Sequence, residues 1–343
     1  MSLAENLGFG RHFTQRMLTQ KFSPERGWHD AEIGPWQNLS LSPATALFHC
    51  GQMIFDGTKA YRRPDGHLNL FRPWENALRF NRSAVRMAMP EVDVDWHVDA
   101  ISELVRLEQA WVPTQDGAAL YIRPVMLSVD PTLEVRSSRH FLHYIILSPV
   151  APYFSGGFKP VSVLISEEFV RAVRGGTGEA KTPGNYAGSL AATEQAIAAG
   201  YQQVLWLDAM ERRFVDEVGA MNIAFVYDSK HIRTPSLSGS ILPGITRDSL
   251  LTLAPDLGFS VEQARIDARD VISDMEQGVI SEIFAMGTGA VIAPVGRLGY
   301  GGRDYVLNDN APGPVATRLY RALTDIQYGR ADDHYGWTRK VVC

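Results

Sequence analysis

Lys181, Tyr186 and Glu217 are the residues whose types and order could do chemistry together. They stand in Lys181-Thr-Pro-Gly-Asn-Tyr186 and Asp216-Glu-Val-Gly-Ala-Met-Asn222, with Gln203-Val-Leu-Trp-Leu-Asp208 between the two runs. A lysine amine can form a Schiff base with an aldehyde. A phenol can hydrogen-bond a phenolate oxygen, and a carboxylate can keep a pyridine nitrogen protonated. Pyridoxal phosphate needs all three, because its ring is an electron sink only while that nitrogen carries a proton. Each residue alone has an ordinary reading: Lys181 as a surface lysine of a Gly-rich loop, Tyr186 as a packed aromatic, Glu217 as a solvated acidic strand end. Asp216 and Glu211 are read as such solvated carboxylates. The flanking Gly175-Gly-Thr-Gly-Glu-Ala and Pro183-Gly-Asn-Tyr186 weigh against the surface reading of Lys181.

A phosphate needs backbone N–H groups at a helix N-terminus, with hydroxyls or a cation beside them. Gly244-Ile245-Thr246 opens an apolar periodic run and offers the first element. Thr288, in Met-Gly-Thr-Gly, offers a second hydroxyl.

With the segments around them, these residues resemble the branched-chain amino-acid aminotransferases, class IV aminotransferases of the pyridoxal phosphate fold type IV. The likeness covers nearly the whole chain, in family order. It includes Phe9-Gly-Arg-His-Phe-Thr-Gln-Arg-Met17, Gly51-Gln-Met-Ile-Phe-Asp-Gly-Thr-Lys-Ala-Tyr61, Leu120-Tyr-Ile-Arg-Pro124, Gly239-Ser-Ile-Leu-Pro-Gly-Ile-Thr-Arg-Asp248 and Phe284-Ala-Met-Gly-Thr-Gly-Ala290. The resemblance implies a two-domain α+β fold, a small N-terminal domain and a larger pseudo-barrel domain, with the cofactor in the cleft between them. It implies a homodimer and a ping-pong exchange of amino groups between Leu, Ile or Val and 2-oxoglutarate. Lys181 would be the Schiff-base lysine and proton shuttle, Tyr186 would donate to O3′ and Glu217 would face the pyridine nitrogen. Arg79 would be the cation on the phosphate, with Arg171, Ile245, Thr246 and Thr288 supporting it. The N–H groups of Thr288 and Gly289 would meet the α-carboxylate. Tyr121 and Arg123 would meet the glutamate γ-carboxylate, for which a planar guanidinium fork is suited. Phe9, Phe55 and Tyr153 would be apolar walls, each of them otherwise a core aromatic.

The chain departs from the family at several of these positions. Cys50 replaces a tyrosine that in relatives lines the substrate pocket from across the dimer. Asp56 and Thr58 stand for Glu and Leu, Gly289 for Ala, and Pro183 for a glycine. Removing the tyrosine leaves space and takes away a hydroxyl. A second reading follows, an aminotransferase with a reshaped pocket for an unusual amino acid in a specialised pathway. A third, a catalytically silent binding protein, has the complete ligand set against it.

The 343 residues suffice for two cores, expected as 1–148 and 159–343 with a Pro/Gly-rich linker at 149–158. Ordinary hydrophobic content (45%) and a net charge of −5, with no basic stripe, argue against nucleic acid. No apolar run approaches a membrane span. Two cysteines, Cys50 and Cys343, and no secretory leader point to the cytoplasm. Hydrophobic spacing predicts helices over 73–89, 98–112, 185–199 and 246–254. Strands are predicted over 118–124, 141–147, 161–165, 203–207 and 221–227.

Overall fold

The computed structural model describes residues 7–153 and 158–343, and these divide into two units. Positions 154–157 of the expected linker lie outside the described residues.

The first unit is built on an antiparallel sheet. Its strands are β1 (Arg16–Ser23), β2 (Gly27–Pro35), β3 (Met53–Phe55), β4 (Thr58–Arg62), β5 (Leu68–Phe71), β6 (Ala119–Ser128) and β7 (Phe141–Val150). The order is β5-β4-β6-β7-β1-β2, with β3 also on β6 and the C-terminal strand Thr338–Val341 on the free edge of β5. The helices of this unit are α1 (Ala46–Cys50), α2 (Pro73–Arg86) and α3 (Val94–Leu107). Pro73 opens α2 at its first turn, where a missing N–H costs nothing. On α2, Asn76, Arg79, Phe80 and Ser83 recur at three- and four-residue spacing and are all buried. A polar stripe on a buried helix face needs partners. α3 begins four residues earlier than expected, because the Asp93 carboxylate caps it by accepting from Trp96 N (2.7 Å).

His97 of α3 and His143 of β7 lie in this core with ring centroids 5.1 Å apart. The Gln20 amide donates to His143 Nδ1 at 3.0 Å, which leaves the proton on Nε2. Burial holds His97 down to about 4 and His143 well below its ordinary value. An unfolded histidine takes its proton near pH 6.5. The folded chain therefore binds fewer protons than the unfolded chain between those values. Stability is fully present above about pH 6.5 and falls as the pH drops toward 4. From pH 8 to pH 5, His97 alone should cost roughly 2 kcal/mol. Urea titrations at the two pH values check this, and an unchanged midpoint would count against neutral burial.

The second unit carries β8 (Val161–Ile165), β9 (Gln203–Leu207), β10 (Val215–Val218), β11 (Asn222–Tyr227), β12 (His231–Pro235), β13 (Ser260–Ala264), β14 (Ile280–Gly287), β15 (Val291–Tyr300) and β16 (Arg303–Val306). Their order is β10-β9-β8-β15-β14-β11-β12-β13, with β16 also on β15. Val218 and Met221 exchange backbone hydrogen bonds, both 2.9 Å, through the turn from β10 into β11. The edge strand β10 is thereby tied back to β11, and the sheet curls as a pseudo-barrel. Its helices are α4 (Gly184–Ala187), α5 (Leu190–Ala198), α6 (Ile245–Asp256) and α7 (Ala268–Glu276), followed by most of α8 (Pro314–Gln327).

Two further expectations change. The single helix over 185–199 is two helices, interrupted at Gly188-Ser189, where Ser189 Oγ donates to Tyr186 O (2.6 Å). The linear division at 149–158 also fails to hold to the end of the chain. Ala180–Pro183 and Asp325–Cys343 belong with the first unit, because Phe55 N donates to Lys181 O and Thr338–Val341 pairs with β5.

Candidate active site

Ala180–Pro183 is held to the first unit mainly through its backbone. Lys181 N donates to Ser83 Oγ (2.9 Å), Phe55 N donates to Lys181 O (3.0 Å) and Thr182 Oγ1 donates to Met53 O (2.8 Å). Ser83 on the buried stripe of α2 thus has its partner. The amine of Lys181 lies 5.2 Å from the centre of the Phe55 ring. The Arg123 guanidinium lies 4.7 Å from that ring and donates to Tyr121 Oη at 3.2 Å. Phe9 meets Tyr121 edge-on (4.9 Å) and Tyr153 likewise (5.1 Å). Six expected residues, Phe9, Phe55, Tyr121, Arg123, Tyr153 and Lys181, are therefore one continuous chain of contacts. Gly57 permits it, since a Cβ there would stand 1.8 Å from Tyr121 Oη. Arg123 Nε is buried and makes no hydrogen bond, so the cluster holds an unused cationic donor beside aromatic walls.

Arg79 is also buried, and its guanidinium is gripped side-on by Asp56. Nε donates to Oδ2 (3.0 Å) and Nη2 to Oδ1 (2.7 Å). The departure from Glu to Asp at position 56 is therefore an internal partner of Arg79. Thr58 is buried too and donates to Phe71 O (3.1 Å). Cys50 is exposed, in the last turn of α1.

In the second unit Glu217 is 2% exposed. Its Oε1 accepts from Leu242 N (2.8 Å) and Asn222 Nδ2 (3.3 Å), and its Oε2 lies 2.9 Å from Arg171 Nε. That last approach is a charge contact with the N–H turned off the oxygen. Asp216, expected to be solvated, is instead buried and accepts from Ser240 Oγ (2.8 Å); burial pushes its carboxyl upward. Glu211 is surface-exposed as expected and pairs with Arg265. Tyr186 sits in α4 directly after Asn185, whose side chain exchanges hydrogen bonds with Thr177 (2.7 and 2.8 Å). Ile245 and Thr246 form the first turn of α6, both buried, with no side-chain cap at Gly244. A Cβ on Gly244 would stand 2.0 Å from Asn222 Oδ1, so the approach to this helix end requires glycine. Thr288 and Gly289 are half-buried in the turn joining β14 to β15. Val291 closes that turn at φ 62°, a strained conformation for a β-branched residue.

The donor sets suit pyridoxal phosphate. They supply an amine on a backbone-anchored loop, a buried carboxylate, and an uncapped helix start with hydroxyls. Among the described residues no cluster of His, Cys, Asp and Glu could hold a metal ion, and no helix is long and apolar enough to cross a membrane.

Comparison with known proteins agrees. The family model described as amino-transferase class IV matches residues 53–298. The chain is 49% identical over 337 residues to a probable branched-chain-amino-acid aminotransferase of Streptomyces coelicolor, covering 98% of this chain and 93% of that one. It is 44% identical over 337 residues to branched-chain-amino-acid transaminase 1 of Bacillus subtilis, covering 98% and 94%. Among solved structures, the branched-chain amino acid aminotransferase of Thermobaculum terrenum in its PLP form shares the fold. It superposes with a TM-score of 0.79 at 24% identity, covering 96% of this chain and 99% of that one.

Proposed function

The chain belongs to the class IV aminotransferase family and is a pyridoxal phosphate-dependent aminotransferase, and from that premise we propose that it exchanges amino groups between leucine, isoleucine or valine and 2-oxoglutarate. The observation that carries this reading is the chain of contacts from Phe9 to Lys181. Aromatic rings suit an aliphatic side chain, and the spare Arg123 donor suits the γ-carboxylate of glutamate. One pocket can then serve both halves of a ping-pong reaction.

Pyridoxal phosphate, when bound, supplies an aldehyde and an electron-withdrawing ring that weakens the substrate Cα–H bond. Lys181 Nζ is the base that takes the Cα proton and the acid that returns it. The backbone bonds to Ser83 and Phe55 fix the main chain from which that amine extends, so less ordering remains for the reaction itself. Glu217 would accept the ring N–H, and Tyr186 would donate to O3′. Ile245 and Thr246 N–H groups, with the Thr246 and Thr288 hydroxyls and Arg79, would hold the phosphate. Thr288 and Gly289 N–H groups would orient the α-carboxylate.

The same reading carries a homodimer acting in the cytoplasm, with neither nucleic acid nor membrane as partner. Phe48, Leu133 and Val135 (59%, 68% and 94% exposed) support an interface. They lie where α1 is tied to the 130–131 segment by Ala46 N to Asp130 O and the Thr45–Pro131 bridge.

The test mixes the cofactor-loaded protein with one amino acid at a time and follows the visible absorbance as the amino group is transferred. Leu, Ile, Val and Glu should all react fast. Slow reaction with these four and fast reaction with an aromatic, polar or non-proteinogenic amino acid would transfer the assignment to a specialised pathway enzyme. Cys50 and Gly289, both smaller than their family counterparts, favour that second reading. If Cys50 widens the pocket, Cys50→Tyr should narrow the substrate profile toward aliphatic amino acids. An unchanged profile would remove Cys50 as a determinant.

A further inference from the structure

We infer that Arg171 is a positioning residue for Glu217, acting on the ring nitrogen's partner rather than on the phosphate; this rests on the role proposed for Glu217. The side chains of both residues are buried (7% and 3% exposed) and in charge contact at 2.9 Å. Arg171 is held at its other end as well. Nη2 donates to the carbonyls of Gly178 (3.3 Å) and Ser240. The two loops bearing those carbonyls are pressed together, since a Cβ on Gly178 would stand 2.2 Å from Ser240 O. Turning toward a phosphate would cost the guanidinium both acceptors and the carboxylate.

The physical need is clear. A buried carboxyl reverts to its neutral form unless a positive charge or several donors favour the anion. A neutral Glu217 cannot hold a protonated pyridine nitrogen. Leu242 N and Asn222 Nδ2 occupy Oε1, and Arg171 supplies the charge at Oε2. The neighbouring Asp216 competes little for Arg171, because its own carboxylate is engaged by Ser240 Oγ and burial favours its neutral form.

The experiment loads wild type, Arg171→Gln, Arg171→Lys, Glu217→Gln and the Arg171→Gln/Glu217→Gln double variant with cofactor labelled with 15N at the ring. It reads the ring-nitrogen resonance, and dissociation constants for pyridoxal phosphate and for pyridoxal, which lacks the phosphate. Arg171→Gln should move the resonance toward the unprotonated position, in the direction of Glu217→Gln. It should weaken both ligands by the same factor, about tenfold for one unit of lost charge preference. In the Glu217→Gln background it should do nothing further. Arg171→Lys keeps the charge without the fork, guards against a folding failure and should lie between. Loss of pyridoxal phosphate affinity with pyridoxal affinity and resonance unchanged would make Arg171 a phosphate ligand and overturn the inference. An unmoved resonance in Glu217→Gln itself would overturn the role of Glu217 first. A moved resonance there with none in Arg171→Gln overturns only the inference about Arg171.

Discussion

Lys181→Ala should leave a folded protein whose transamination has fallen by a factor on the order of 10^4 or more. A positioned acid–base group contributes about 10²–10⁴ to a proton transfer, and the same amine is also the covalent attachment point. The fold should survive, because the bonds that seat this residue on Ser83 and Phe55 come from its backbone and remain with alanine. Single-turnover measurements with leucine, beside circular dichroism of the same preparation, check both halves. Residual turnover above one per cent of wild type would remove Lys181 from the chemistry. A collapsed spectrum would mean that the loop depends on the side chain after all.

Asp56→Ala should be the most destabilising of the site substitutions, by roughly 3–5 kcal/mol, since it leaves a guanidinium buried and uncompensated. Arg79 is 3% exposed and Asp56 1%, and two aligned bonds join them. Gly57 N also loses its bond to Asp56 Oδ1. Removing both charges in an Asp56→Leu/Arg79→Met double variant should recover much of the loss, because two well-packed apolar chains can replace a buried pair at little cost. Asp56→Glu keeps the charge, but its extra methylene must be seated in a filled core, at about 1–3 kcal/mol. Urea denaturation of the four proteins decides the matter. A loss below about 1 kcal/mol in Asp56→Ala would show that the pair does little for the fold.

What could be read from the sequence follows from how local each feature is. β8 and β9 appear at their expected ends, Val161–Ile165 and Gln203–Leu207, because β-branched and apolar runs announce themselves within five residues. The start of α3 is displaced from its expected place because its signal is a cap, Asp93, outside the apolar periodicity. The break after α4 lies in a Gly-Ser pair within an otherwise helical pattern. Asp56 and Asp216 could not be recognised as buried, because a charged residue is read as exposed until its partner is known. Those partners, Arg79 and Ser240, lie 23 and 24 residues away. Residue type and motif order pointed to Lys181, Tyr186 and Glu217. The engagement of Arg171 with Glu217 is a matter of three-dimensional aim, which no spacing encodes.

The late return of the chain to its first sheet bears on how the protein is made. Residues leave the ribosome in order, and domains tend to fold as they emerge. β5 must then wait through synthesis of the whole second unit before Thr338–Val341 arrives to cover its edge. During that interval its unpaired N–H and C=O groups are a template for another nascent chain. A premature stop just before Thr338 would spare every residue of both clusters, yet the product would retain the chemistry and lose its solubility.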